Sequence, residues 1–213
     1  MTRLFALLTL FGVAFGYVEA TVVVYLREIF YADWFRFPLT IVPEHHGAVE
    51  VAREAATMLM LAAVAHLAGR TRWERFGHFA FLFGVWDIAF YLGLYAVLRW
   101  PESLLTWDVL FLIPLIWTGP VLAPVLVSAL LVTAGAAIAV RERRGPGIRV
   151  GCIHWALGLL SLALLLYAFM ANHAVAYAGG VPESFPWVPF VAGLAIGAGT
   201  AWSAVGRAAS SQS

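Results

Sequence analysis

Residues 4–26 read LFALLTLFGVAFGYVEATVVVYL, a run in which Glu19 is the one ionisable acid or base. A helix needs about 20 predominantly apolar residues to cross the hydrocarbon core of a bilayer, and this run supplies them. Val18-Glu19-Ala20 has the small-residue pattern of a signal-peptide cleavage site. However, the apolar character continues to Leu26 and Glu19 would sit just inside the cut, so the segment is read as a first spanning helix.

Five further segments have the same length and character: 49–68, 76–98, 110–140, 154–171 and 187–205. Composition agrees, with 62% hydrophobic residues, 12% charged and a mean hydropathy of +0.87. A water-solvated domain carries roughly 25% charged residues, so most of this surface faces lipid. The expected fold class is all-α, a polytopic bundle of about six transmembrane helices forming one domain over 1–207, with 208–213 as a disordered tail. The fourth segment is too long for one straight crossing and contains Pro114, Pro120 and Pro124, which remove backbone donors and break helices. A short helical piece starting near Ser103, a bend across 114–120 and then the spanning part are expected. Broken helices at membrane depth line cavities, substrate paths or ion sites.

The thirteen basic residues are all arginine. Arg3, Arg70, Arg72, Arg75, Arg141, Arg143, Arg144, Arg149 and Arg207 fall on one side of a six-span arrangement, and the positive-inside rule makes that side cytoplasmic. An even number of spans then requires both termini inside, in a multi-pass protein of a bacterial inner membrane. Trp34, Trp100, Trp107 and Trp187 fall in the opposite loops, as interfacial anchors do. With no basic stripe and a formal net charge of +1, no nucleic-acid partner is expected; the bilayer is, together with a membrane-protein complex partner or a second copy of the chain. The absence of lysine removes Schiff-base chemistry. Cys152 stands alone, so neither a disulfide nor a thiolate cluster forms. There is no phosphate loop, no His-Glu-x-x-His and no nucleophile elbow.

Ionisable side chains inside spans are costly and default to function. The second segment opens Glu44-His-His-Gly-Ala-Val-Glu-Val-Ala-Arg-Glu54. At 100° per residue, His46, Glu50, Arg53, Glu54 and Thr57 share about a third of the helix circumference. Such a stripe cannot face lipid. Glu19, Asp87, Asp108 and His173 fall at compatible depths by the helical rise of ~1.5 Å per residue. Tyr91 and Tyr95 follow Asp87 at i+4 and i+8 and are placed to donate to its carboxylate. Asp108, with Ser103 and Thr106, reads first as a helix N-cap.

These residues define the expected sites. His46, Glu50, Glu54, Glu19 and His173 are candidate metal ligands, a carboxylate-rich set suited to iron, manganese or zinc. Asp87, Arg53 and Tyr91 are the candidate catalytic groups. His66, His78 and His154 lie near the cytoplasmic interface and offer axial nitrogens for a b-type haem, the weaker cofactor expectation. Three functions follow: a metal-dependent enzyme in the membrane, foremost; a transporter of protons, a cation or a small polar solute; and an accessory subunit whose Arg53 is only a structural clamp.

Overall fold

A computed structural model describes residues 1–30, 44–145, 147–148 and 150–206, without the side chains of Phe30 and residues 44–46. The expected tail, 208–213, lies outside the described residues. The element order is α1 (Thr2–Phe30), α2 (Glu44–Ala68), α3 (Arg72–Leu98), β1 (Trp107–Phe111), β2 (Trp117–Pro120), α4 (Leu122–Arg144), α5 (Cys152–Met170), α6 (His173–Tyr177) and α7 (Trp187–Gly206).

Among the described residues five stretches are long and apolar enough to cross a membrane: Thr2–Ile29, Arg72–Leu98, Leu122–Arg144, Cys152–Tyr177 and Trp187–Gly206. They are the helices of a multi-pass membrane protein. The second helix has the length, 25 residues, but carries Glu50, Arg53 and Glu54 in its first half.

The central element is α3. It packs against α1, α2 and α4, while α5 and α7 pair with each other and join through α4. Burial explains the arrangement. On α1 the buried positions are Leu8, Gly12, Gly16, Glu19, Ala20, Val24 and Arg27, steps of three and four that make one helical stripe. On α2 the stripe is Glu54, Thr57, Leu61 and Ala65, while Val49, Leu59, Met60 and Leu67 point outward. Polar residues therefore lie inward and aliphatic ones outward in the first half of α2, the reverse of a helix in water. One apolar cluster, Leu8, Leu61, Ala65, Phe81, Leu82 and Trp86, fills the space between α1, α2 and α3.

The seam between α3 and α4 depends on small residues. A Cβ on Gly77 would stand 2.7 Å from the Gly135 carbonyl oxygen and 2.8 Å from the Ala139 nitrogen; one on Gly135 would stand 2.6 Å from the Gly77 carbonyl oxygen. Backbones meet here directly, as small residues allow between helices in lipid. At the arginine-rich end the same two helices are tied by charge. Glu74, 2% exposed, pairs with Arg143 and accepts from the Arg70 backbone N–H at 2.8 Å. Thr71 caps α3 and donates to Glu142 at 2.7 Å.

The fourth segment differs from expectation. Residues 107–120 form a two-stranded antiparallel hairpin, Asp108 opposite Gly119 and Val109 opposite Thr118, in place of a helical piece broken by proline. In place of the expected helix bend across 114–120, residues 112–116 form the hairpin turn and Trp117–Pro120 its second strand. Helix α4 begins after Pro120, and Pro124 occupies its first turn, where a missing N–H costs nothing. Ser103 and Thr106 do serve as turn caps, since the Leu105 N–H donates to Ser103 Oγ and the Ser103 N–H to Thr106 Oγ1, both at 3.1 Å. Asp108 does not: it is a buried residue of the first strand, 3% exposed.

Because the α3–α4 contact is backbone to backbone, Gly135→Leu is expected to cost about 1–3 kcal/mol through overpacking. The measurement is the melting temperature of purified protein in detergent, with Gly199→Leu, where a Cβ meets nothing within 4 Å, unchanged as the control.

Candidate functional site

The inward stripes of α1 and α2 end on a cavity of about 570 Å³ bounded by α1, α2, α3, the hairpin and α4, with Phe169 of α5 and the α6 region at its edge. Its polar lining is Glu19, Arg27, Glu50, Arg53, Glu54, Thr57, Asp87, Tyr91, Asp108 and Ser128. Five carboxylates and two guanidiniums from four elements thus face one space.

One wall is built on Arg53. Its guanidinium donates to Glu19 across the α1–α2 gap and to Glu50 on its own helix, with Nε 2.9 Å from Oε2. Glu19 also accepts from the Thr57 hydroxyl at 2.6 Å. Helical spacing makes this possible: Glu50, Arg53 and Thr57 stand at steps of three and four on the face of α2 turned toward α1.

The opposite wall is built on Asp108. It accepts from the Tyr91 hydroxyl at 3.1 Å and lies 3.7 Å from Arg27 Nη2. Arg27 in turn stacks over Trp100, 3.9 Å from the ring centroid. Between the walls, Asp87 accepts from the Ser128 hydroxyl of α4 at 2.7 Å. Glu54 accepts from the backbone N–H of Leu112 at 3.0 Å, capping an otherwise unpaired donor of the hairpin turn.

Aromatic rings complete the lining. Phe111 on β1 lies 6.3 Å from Phe83, 6.4 Å from Trp86 and 5.4 Å from Trp117. Trp117 stacks on Phe169 of α5 at 5.9 Å. The hairpin therefore carries one continuous aromatic ladder from α3 to α5.

The expected residues sort as follows. Glu19, Glu50, Arg53, Glu54, Asp87 and Tyr91 come together around the cavity. Tyr91 serves Asp108 and not Asp87, whose partner is Ser128. Tyr95 is exposed, on the outer side of α3. His173 does not join the acids: it lies outside the lining, at the start of α6, its Nδ1 2.8 Å from the Met170 carbonyl at the end of α5. His46 falls among the side chains outside the described residues. Among the described residues no three of His, Cys, Asp and Glu are grouped as metal ligands. Of the haem candidates, His66 is exposed, His154 accepts from the Gly151 N–H at the start of α5, and His78 is enclosed beside the Phe5 ring.

Arg27, Ser128 and the hairpin backbone belong to the site and are absent from the sequence expectations. Arg27 lay one residue past the assigned end of the first span. Ser128 is a lone hydroxyl in an apolar run, a weak signal. Comparison with known proteins adds no identification: no family model, no curated protein and no solved structure matches the chain.

The Arg53 wall makes a sharp energetic prediction. Arg53→Met strands Glu19, 4% exposed, and is expected to destabilise the protein by about 3–5 kcal/mol, whereas the double change Glu19→Met, Arg53→Met costs much less. A double-mutant cycle on thermal unfolding in detergent measures the difference.

Proposed function

We propose that the chain crosses a bacterial inner membrane six times with both termini in the cytoplasm, and that it is a transporter whose solute binds in the acid-lined cavity. A sixth span through α2 is supported by its length and by the aliphatic side chains it turns outward. Orientation is supported by the arginines at the α2–α3 and α4–α5 turns.

The observation that carries the function is the convergence of Glu19, Glu50, Glu54, Asp87 and Asp108 on one cavity of small-molecule size. On this orientation the cavity occupies the periplasmic half, and the cluster of Leu8, Leu61, Phe81 and Leu82 closes it on the cytoplasmic side. That is the form of an outward-facing state in alternating access. The hairpin takes the part that discontinuous helices play in transporters, placing irregular backbone against a cavity and away from lipid.

Proteoliposomes containing the wild-type chain are expected to accumulate a solute from a radiolabelled panel of small cationic, neutral and anionic compounds, or to move protons reported by an internal pH dye. Asp87→Asn should lower that rate at least about tenfold, as loss of an intramembrane charge at a transport site does. Equal rates in wild type, variant and empty vesicles would sink the transport reading.

A metal-dependent enzyme is the second reading, favoured by Glu19 and Glu50, which share Arg53, with the first turn of α2 carrying His46; among the described residues no third ligand is grouped with them. Iron, manganese or zinc bound one to one, and lost in Glu50→Ala, is the expected result of elemental analysis on this reading. Protein that stays metal-free when metal is supplied, yet still takes up solute, leaves transport alone standing.

A further inference from the structure

We infer that the ligand of the cavity is an organic cation with an apolar body, its charge attracted by the lining acids Asp87 and Glu54 and its body set among the lining aromatic side chains; this rests on the cavity being a solute site.

The charge inventory comes first. Of the five carboxylates that the described residues place on the cavity, three are in salt-bridge contact with an arginine: Glu19 and Glu50 share Arg53, and Asp108 has Arg27. The other two have no arginine in direct contact among the described residues and are bonded to neutral donors, Asp87 to the Ser128 hydroxyl and Glu54, next to Arg53 in the chain, to the Leu112 N–H. Each is 8% exposed and each lines the cavity. A hydroxyl or an amide satisfies one acceptor lone pair but does not balance a charge out of water. A bound cation does both. An anion meets the opposite situation, because both guanidiniums already hold carboxylates.

Shape and surface then choose among cations. About 570 Å³ lies in the range of organic-ligand pockets and far exceeds a bare metal ion. Phe83, Trp86, Phe111 and Trp117 line this space, and aromatic rings attract a desolvated ammonium. Such contacts suit a quaternary or substituted amine better than a hydrated inorganic ion.

The test uses the full chain in lipid nanodiscs and four defined probes, with binding followed by titration calorimetry. Benzoylcholine carries the cation and the ring. Its neutral isostere 3,3-dimethylbutyl benzoate lacks the charge, 4-phenylbutyltrimethylammonium carries the charge on a second apolar body, and hippurate reverses the charge. Benzoylcholine is expected to bind at least about tenfold more tightly than the neutral ester, and hippurate not to bind. Asp87→Asn and Glu54→Gln should each weaken benzoylcholine and the phenylbutyl cation by about tenfold or more without changing the neutral ester. Melting temperatures close to wild type establish that the near-isosteric variants fold. Equal binding of the charged and neutral esters, tighter binding of hippurate, or no binding of benzoylcholine overturns the inference. Uptake of a neutral or anionic solute by vesicles would still stand in that event, so the cation assignment and the transport reading fail separately.

Discussion

A carboxylate cannot be left unaccompanied in hydrocarbon, and Glu19 is a carboxylate in the middle of an otherwise apolar helix. Its pairing with Arg53 is the interaction from which the arrangement of α1 and α2 follows. Once Glu19 must meet Arg53, the stripe of α1 that carries it turns inward, and the face of α2 that carries Glu50, Glu54 and Thr57 turns to meet it. The aliphatic side chains of both helices are then free to face outward. What the ion pair joins on one side, α3 completes on the other by presenting Asp87 and Tyr91 into the same gap. The cavity is the space left where polar groups refuse the close packing that Gly77 and Gly135 permit further along the bundle.

The sequence carried the long apolar runs and the α2 stripe plainly, because both are periodic or extended signals that local spacing reveals. Six of the acid, base and phenol positions named from spacing alone line the cavity, Glu19, Glu50, Arg53, Glu54, Asp87 and Tyr91. Partners were harder. That Tyr91 serves Asp108 and Ser128 serves Asp87 depends on how α3 sits between the hairpin and α4, and no spacing within one helix encodes that. His173 shows the converse failure. Its depth along the chain matched the acids, but depth says nothing about azimuth, and the side chain turns back to the end of the preceding helix, α5.

The hairpin was misread for a physical reason. Residues 107–120 are apolar enough to continue a span, and an apolar run of this length does not distinguish strand from helix by periodicity. The prolines were informative about where the helix starts, after Pro120, but not about what precedes it. Enrichment in Trp, Val, Phe and Thr is a strand signal, and here it counted for more than overall hydropathy. The consequence is large for the site, since the turn of the hairpin supplies the N–H that Glu54 caps, and its strands supply Asp108, Phe111 and Trp117.

The Glu19–Arg53 pair also bears on how such a chain is made. On the six-span arrangement, α1 emerges from the ribosome first and is apolar enough to enter the bilayer, with Glu19 as the single charge of its apolar run 4–26. Helix α2 follows with Glu50, Arg53 and Glu54 in its outer half, each unfavourable to membrane insertion by itself. On the proposed arrangement Arg53 would find its counter-charge on the helix already in place, and α2 would enter as the second half of a helical hairpin. The residue that shapes the cavity would then also be the residue that lets the second helix into the membrane.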